Sequence, residues 1–299
     1  MPNHTLALGV ALALVAVPAK AELALELSAT AATHQLGEPI SVAVTLTNTG
    51  STPEQVLKDL APEYHAVRYT IRRPNGEEVL FSPWAVKEPA EPFATLAPGE
   101  SIAATAKLFF DGNNWIFTEP GRYVILARYV ENLDAQPLTL DVAAPPNDAA
   151  SDAATTLLQS PEAGLFLLLG GGNPEGEGAR VLAEVADTAE GTVQATHANL
   201  ALGLSRTQDF ADFAAEVMRP ADPAAAVERL EQVNVEQLDF AATAEARLGL
   251  ADAYRALNAP DRALEVQESL EGELQRRFPQ IGPDLRDQLL PQIEQNIRQ

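Results

Sequence analysis

The chain has no cysteine in its 299 residues. That excludes a disulfide framework, a thiolate metal site and a lipid-modified cysteine behind a leader peptide. Stability must therefore come from ordinary hydrophobic cores. Basic residues are scarce: 20 Lys and Arg stand against 42 Asp and Glu, giving a net charge of −22 and a pI near 4.4. A chain this acidic repels nucleic acid phosphates and anionic lipid, so neither is an expected partner. The charge reads first as a solvated surface and second as an acidic interaction face. Histidine is also rare, at four residues. His4 precedes an apolar run, His34 falls on a turn, His65 on a strand and His197 on an alanine-rich helix, where it reads as a partly exposed packing residue. They form no His-x-His and no helical pair, so no metal site is expected.

No segment has transmembrane length. Leu6 to Val17 is uncharged and apolar but too short to span a bilayer, and Ala19-Lys20-Ala21 supplies a small-x-small cleavage pattern. Met1–Ala21 therefore reads as a signal peptide, with the mature chain starting at Glu22. It departs from the usual pattern in having no Lys or Arg before the apolar run; a buried N-terminal helix or a retained anchor is the other reading. Its removal takes away Lys20 and no acid, moving the net charge from −22 to −23. The expected location is the periplasm or the outside of the cell, without membrane insertion of the mature chain.

Catalytic motifs are missing too. There is no G-x-S-x-G and no S-x-x-K. The one glycine-rich loop, Gly170 to Gly178, lies between helices, lacks the lysine of a phosphate cradle and carries two glutamates. It reads as a flexible helix–helix connection or a mobile contact loop. Asp111-Gly112-Asn113-Asn114 offers oxygen ligands, but it is too short for an EF-hand and reads as a hairpin turn before it reads as a calcium site. Glu77 and Glu78 are adjacent, which on a strand sends them to opposite faces and is wrong for a two-carboxylate glycosidase. No catalytic, cofactor-binding or metal-ligating residue is expected, and no cofactor.

What is present divides near the middle. In the first half the apolar period is two. Ile40, Val42, Val44 and Leu46 alternate with Ser41, Ala43, Thr45 and Thr47, the clearest strand pattern in the chain. Ile102, Ala104, Ala106, Leu108 and Phe110 repeat it between the turns Pro98-Gly99 and Asp111-Gly112. Leu23–Ala29, Tyr64–Arg72, Val79–Phe81, Arg122–Val130 and Leu138–Val142 are further strands, with Pro74-Asn75-Gly76 as a hairpin turn. Thr52 to Glu63 reads as irregular. Pro83 to Pro92, with three prolines and Trp84, reads as a loop along an edge. Pro120-Gly121-Arg122-Tyr123 has the form of a corner in which a tyrosine hydroxyl bonds back to nearby backbone, and Trp115 and Phe117 fall where aromatics are buried. The expected architecture over 22–143 is an immunoglobulin-like β-sandwich.

The strings LGEPISVAVTLTNTGS, LAPGES and PGRYVILARY resemble sandwich domains of secreted bacterial proteins. They are similar to the N-terminal domain that precedes the catalytic domain of aspzincin-type metallopeptidases, and to the small proteinase-inhibitor-like β-domain of bacilli. The resemblance covers roughly Leu23 to Val142. Peptidase activity is not implied for this chain, because no H-E-x-x-H occurs and the following half is helical and rich in alanine.

Residues 144–152 read as a linker of proline, alanine and acid. Beyond it the apolar period moves towards 3.6. Ser160-Pro161 begins a helix that Gly170 ends. Glu177–Ala186, Thr192–Leu204, Gln208–Arg219, a helix from Asp222-Pro223 to about Val233, Gln237–Leu257, Asp261–Arg277 and Pro283–Arg298 complete an α-helical domain over 153–299. Ala244 to Tyr254 and the helix after it resemble a tetratricopeptide repeat, with Ala251, Tyr254, Ala263 and Leu270 at its small, aromatic, small and apolar packing positions. Such arrays offer a concave face to peptides or proteins; equally, the helices could only stabilise or space the sandwich.

The sequence thus predicts a multidomain protein, all-β and then all-α. It is expected to be non-enzymatic and extracytoplasmic, mediating protein–protein interaction or scaffolding in the cell envelope through a protein or peptide partner. The alternative is a proteinase inhibitor or accessory domain acting through the sandwich, with the loop around Trp84 as its contact.

Overall fold

The computed structural model describes residues 22–29, 31, 33–130, 132–212, 215–279 and 281–297. Met1–Ala21, read above as a signal peptide and containing His4, lies outside them. The first half holds strands β1 (Leu23–Ala29), β2 (His34–Gln35), β3 (Ser41–Asn48), β4 (Glu54–Leu57), β5 (Val67–Arg72), β6 (Glu78–Leu80), β7 (Phe93–Leu96), β8 (Ser101–Lys107), β9 (Gly121–Tyr129), β10 (Leu133–Asp134) and β11 (Leu138–Ala143). One sheet has the order β1-β3-β8. A second has the order β2-β11-β9-β5-β6, with β10 on β9, and β4 pairs with β7 alone. All pairs are antiparallel except β2 with β11.

Period-two alternation decides which side chains these sheets bury. In β3 and β8, Val42 faces Ala106 and Val44 faces Ala104; in the other sheet, Tyr69 faces Ala127 and Ile71 faces Ile125. All eight are buried, and all belong to one core cluster. The expected turns are present. Gly76 has φ +88 between β5 and β6, and its N–H donates to Arg73 O at 2.9 Å. The Tyr123 hydroxyl donates to Glu119 O at 2.8 Å, the back-bonded corner read from the sequence, and its ring stands edge-on to Phe117 at 4.9 Å.

The second half holds α1 (Asp148–Leu158), α2 (Pro161–Leu169), α3 (Glu177–Thr188), α4 (Val193–Leu204), a hairpin of β12 (Phe210–Asp212) and β13 (Val217–Arg219), then α5 (Pro223–Leu230), α6 (Phe240–Ala256), α7 (Pro260–Arg277) and α8 (Pro283–Ile297). Asn147, Ser160, Thr192, Asp222 and Asp239 each accept a backbone N–H at a helix start, satisfying donors that have no partner within the helix. Gly170, at φ +67, ends α2 as expected. α6 and α7 fold back on each other across residues 257–259, with Asn258 at φ +58. Ala251, Tyr254, Ala263 and Leu270 are all buried. Among the described residues no helix is long and apolar enough to cross a membrane.

Four expectations are corrected. Thr52 to Glu63 is not wholly irregular: Glu54–Leu57 becomes a strand because it finds Phe93–Leu96, a partner far along the chain. Tyr64–Arg72 starts late, at Val67; a 3-10 turn over Pro62–Tyr64 precedes it and His65 follows that turn at φ +59, off the strand. Residues 144–152 are a linker only as far as Asn147, which caps α1. Gln208–Arg219 is not a helix. Phe210 and Val217 have helical spacing, but Asp212 accepts from Asn173 at 2.9 Å and Arg219 pairs with Asp212 and Glu175, so contacts with a distant loop favour the hairpin.

The outer face of the three-stranded sheet is covered as well. Ser41, Ala43 and Ala103 are buried beneath helices, where the alternation predicts a half-exposed strand. Ala103 belongs to a cluster with Phe240, Ala241, Leu274 and Leu289, and Gln292 donates to Ala103 O at 2.9 Å. On the inner side the core runs on into α1 to α4 through Leu157, Phe166, Leu182 and Ala198. The start of α2 seats on the β8–β9 connection. A Cβ on Gly164 would lie 2.5 Å from the Phe110 ring, and Trp115 Nε1–H donates to Ser160 O at 3.4 Å.

Candidate functional site

Between sheet and helices lies a small cleft of about 40 Å³, open on one side to solvent. Its floor is apolar: Ile40, Phe109, Leu167, Leu200 and Leu204. Its polar lining comes from four elements. Ser41 begins β3, Lys107 ends β8, His197 lies one turn into α4, and Asp239 and Glu245 come from the cap and second turn of α6. Ser41 Oγ donates to Asp239 Oδ2 at 2.6 Å, and Asp239 Oδ1 accepts the Ala242 N–H at 2.8 Å. Lys107 Nζ lies 3.2 Å from Glu245 Oε1.

A second polar group lies behind the first. His34 Nδ1 is 2.9 Å from Glu38 Oε1, with His34 1% and Glu38 7% exposed. Glu38 Oε2 accepts the Gln35 N–H at 2.8 Å, so the short β2–β3 connection folds round its own carboxylate. Gln194 of α4 donates to Leu36 O at 2.7 Å, tying that connection to the helix. Gly37 passes so close to α1 that a Cβ would lie 2.9 Å from Ala154 Cα, and its φ of +81 suits glycine.

The two buried histidines differ. Burial works against charge on His34, but the hydrogen bond and charge of Glu38, with Asp239 behind, outweigh it and hold the pKa above its ordinary 6.5. At His197 burial prevails and the pKa falls below 6.5; Glu38, Asp239 and Glu245 oppose the fall, and the charge of His34 adds to it. His197 is 6% exposed, not the partly exposed residue expected, and its Nε2 has no hydrogen-bond partner; nor has Nε2 of His34. The sequence separates these histidines by a whole domain's length, and no local spacing signals that they share one electrostatic site. Chemically, Ser41, Asp239, Lys107 and Glu245 are committed to one another across the cleft, while the histidines retain nitrogens that can exchange a proton.

The other loops singled out by the sequence are engaged within the chain. In 111–114 the Asp111 carboxylate accepts the N–H groups of Asn113 and Asn114 at 2.9 and 2.7 Å, and Phe110 bridges to Trp115. The Gly170–Gly178 loop is held by Asn173 and Glu175 against the β12–β13 hairpin and by Arg206 on Pro174 O. Glu77 and Glu78 pair with Arg73 and Arg72. Among the described residues no group of three or more His, Asp or Glu side chains could hold a metal ion. The stretch from the end of β6 to the start of β7 is different: Leu80, Trp84, Val86 and Phe93 are 66, 52, 65 and 55% exposed.

No protein-family model matches the chain, and no curated protein matches it. Solved structures with partial similarity include a β-glucosidase from Listeria innocua in complex with glucose (17% identity, 41% of this chain and 16% of that one, TM-score 0.27). Others are a β-D-glucoside glucohydrolase from Trichoderma reesei (19%, 42% and 19%, 0.25) and β-glucosidase 3B from Thermotoga neapolitana (17%, 41% and 16%, 0.27). The chain spans less than a fifth of the length of these structures, and at such TM-scores the likeness carries no argument about its activity.

Proposed function

We propose that the chain is a non-enzymatic, extracytoplasmic protein that binds another protein, built as an immunoglobulin-like sandwich followed by helical pairs resembling tetratricopeptide repeats. The observation that carries the reading is the set of exposed apolar side chains from the end of β6 to the start of β7: Leu80, Trp84, Val86 and Phe93. Exposed apolar groups concentrated on one segment mark contact surfaces more often than scattered ones do. The segment is held in place: Trp84 lies over Gly112, and the Lys87 N–H donates to Glu63 O at 2.9 Å. It borders edge strand β6, whose outer backbone groups are available for pairing. Glu88 and Glu91 lie in the same segment, which favours a partner with an apolar centre and a basic rim. Absence of the common hydrolase motifs supports a binding role. Inhibition of a peptidase is the specific form that the resemblance of the sandwich suggests.

The test is capture from an envelope extract on the immobilised full chain, compared with a Leu80→Ser, Trp84→Ser, Val86→Ser variant. A protein that the parent retains and the variant loses by roughly 30-fold or more, the scale of losing one hot-spot residue, is the expected result. Equal retention would move the contact to the helical half, where Val217 and Met218 of the hairpin are exposed.

A further inference from the structure

The polar residues of the junction do more than fill it. The hydrogen bond and the ion pair that join β3 and β8 to α6 around the cleft each use an ionisable group: Asp239 with Ser41, and Glu245 with Lys107. The two buried histidines lie beside these links; both have an unpartnered Nε2, and His34 alone is paired with a carboxylate, through Nδ1. We propose that this junction is a pH-gated seam, in which His34 is charged against Glu38 while His197 stays neutral, and that a second proton, placed on His197, parts α4 and α6 from the β2–β3 edge. This is independent of the partner-binding reading.

The charges acting on His197 can be named. Glu38 and His34 face it from the β2–β3 edge, and Asp239 and Glu245 from α6. Lys107 of β8 lines the same cleft but is matched by Glu245. α5 and α3 bring Arg229 and Asp187 together beside Asn199, with Arg229 Nη1 3.2 Å from Asn199 Oδ1. Asn199 is two residues from His197, about 200° round α4, so that pair faces away. A proton added to His197 would be buried with no hydrogen-bond acceptor of its own and next to an already charged His34. Nε2 of His197 is screened from solvent in the closed seam, and opening the seam, which would also expose Ile40, Phe109, Leu200 and Leu204, brings it water.

The signs follow for each histidine. His197, with its pKa lowered by folding, favours the closed seam above 6.5 and opposes it as pH falls below that value towards its folded pKa. His34, with its pKa raised, favours the closed seam below 6.5 and loses that contribution as pH rises through its folded pKa. The seam is therefore tightest in a window between the two.

Hydrogen exchange on the full chain, corrected for intrinsic rates, tests this between pH 5 and 9. Amides of 36–38, 40–41, 194–204 and 239–245 report the seam; those of Tyr69, Ile71 and Ile125 report the far sheet. On acidification below 6.5 seam opening should rise by up to tenfold per pH unit, the slope of one proton, while the far sheet keeps its protection. His197→Gln should flatten the acid arm, and His34→Gln the alkaline arm. Simultaneous loss everywhere, a seam indifferent to pH, or an acid arm unchanged in His197→Gln overturns the proposal. If the variants do not fold, imidazole NMR titration of the parent decides. His34 and His197 titrating on opposite sides of the ordinary value support the seam; a common, ordinary titration overturns it.

Discussion

Ser41 Oγ lies 2.6 Å from Asp239 Oδ2, joining the first residue of β3 to the cap of α6 across 198 positions of sequence. Both residues are buried, and the bond crosses from the strand half to the helical half. Asp239 thus does two things: it satisfies the start of α6 and it holds that start against the sheet.

Ser41→Ala should cost about 1–3 kcal/mol, because it removes a donor from a buried carboxylate. Asp239→Ala loses the cap as well and should cost about 2–4 kcal/mol. The two losses should overlap, since one bond is counted in both. Urea unfolding of the single and double variants measures this as a coupling energy; full additivity would refute the bond.

Gly112 has φ +97, and a Cβ there would lie 2.4–2.9 Å from Trp84 atoms. Gly76 has a similar φ of +88 but nothing within 4 Å. Gly76→Ala should cost roughly 1–2 kcal/mol from backbone conformation alone. Gly112→Ala should cost about 1–3 kcal/mol more from the forced displacement, and should shift the Trp84 emission. Equal losses would mean that Trp84 is not seated on this turn.

Asn48 is fully buried at the end of β3. Its Nδ2 donates to Thr52 O at 2.8 Å and Leu96 O at 2.9 Å, and its Oδ1 accepts the Gly50 N–H at 3.0 Å. Asn48→Ala should cost about 2–3 kcal/mol by leaving two carbonyls unpaired. Asn48→Asp brings a charge against the same carbonyls, so its deficit relative to the parent should be larger at pH 7 than at pH 4. Denaturant midpoints at both pH values check this.

Tyr123→Phe keeps the ring on Phe117 and removes both hydroxyl bonds to Glu119, the one donated to its O at 2.8 Å and the one accepted from its N–H at 3.2 Å. A loss of about 1 kcal/mol is expected. A thermal scan resolves it, and a neutral result would show that water replaces the hydroxyl at no cost.

Most individual elements were legible in the residues. The strands Leu23–Ala29, Ser41–Asn48 and Gly121–Tyr129 follow from period-two alternation, and α2 from Ser160, Pro161 and Gly170. These signals are local: they depend on neighbours within a few residues and on the φ that proline and glycine impose. β4 and the β12–β13 hairpin were not legible, because each is selected by a partner at a distance, Phe93–Leu96 for one and Asn173 with Glu175 for the other. The junction was least legible of all. Its histidines come from β2 and α4, and its carboxylates from the β2–β3 connection and α6.

Ser41, Ala43 and Ala103 mark the boundary between the two kinds of information. Sequence alone determined that Ser41 and Ala43 lie opposite Val42 and Val44 on their strand, and Ala103 opposite Ala104 on its own, since alternation leaves no other choice. It did not determine what covers them, because small and weakly polar side chains suit solvent and close helix packing equally well. Only the tertiary structure decided for α6 and α8, by supplying Asp239 for Ser41, Glu245 for Lys107 and Phe240 for Ala103. The physical reason is that burial is a property of pairs of surfaces, and the second surface lies more than a hundred residues away.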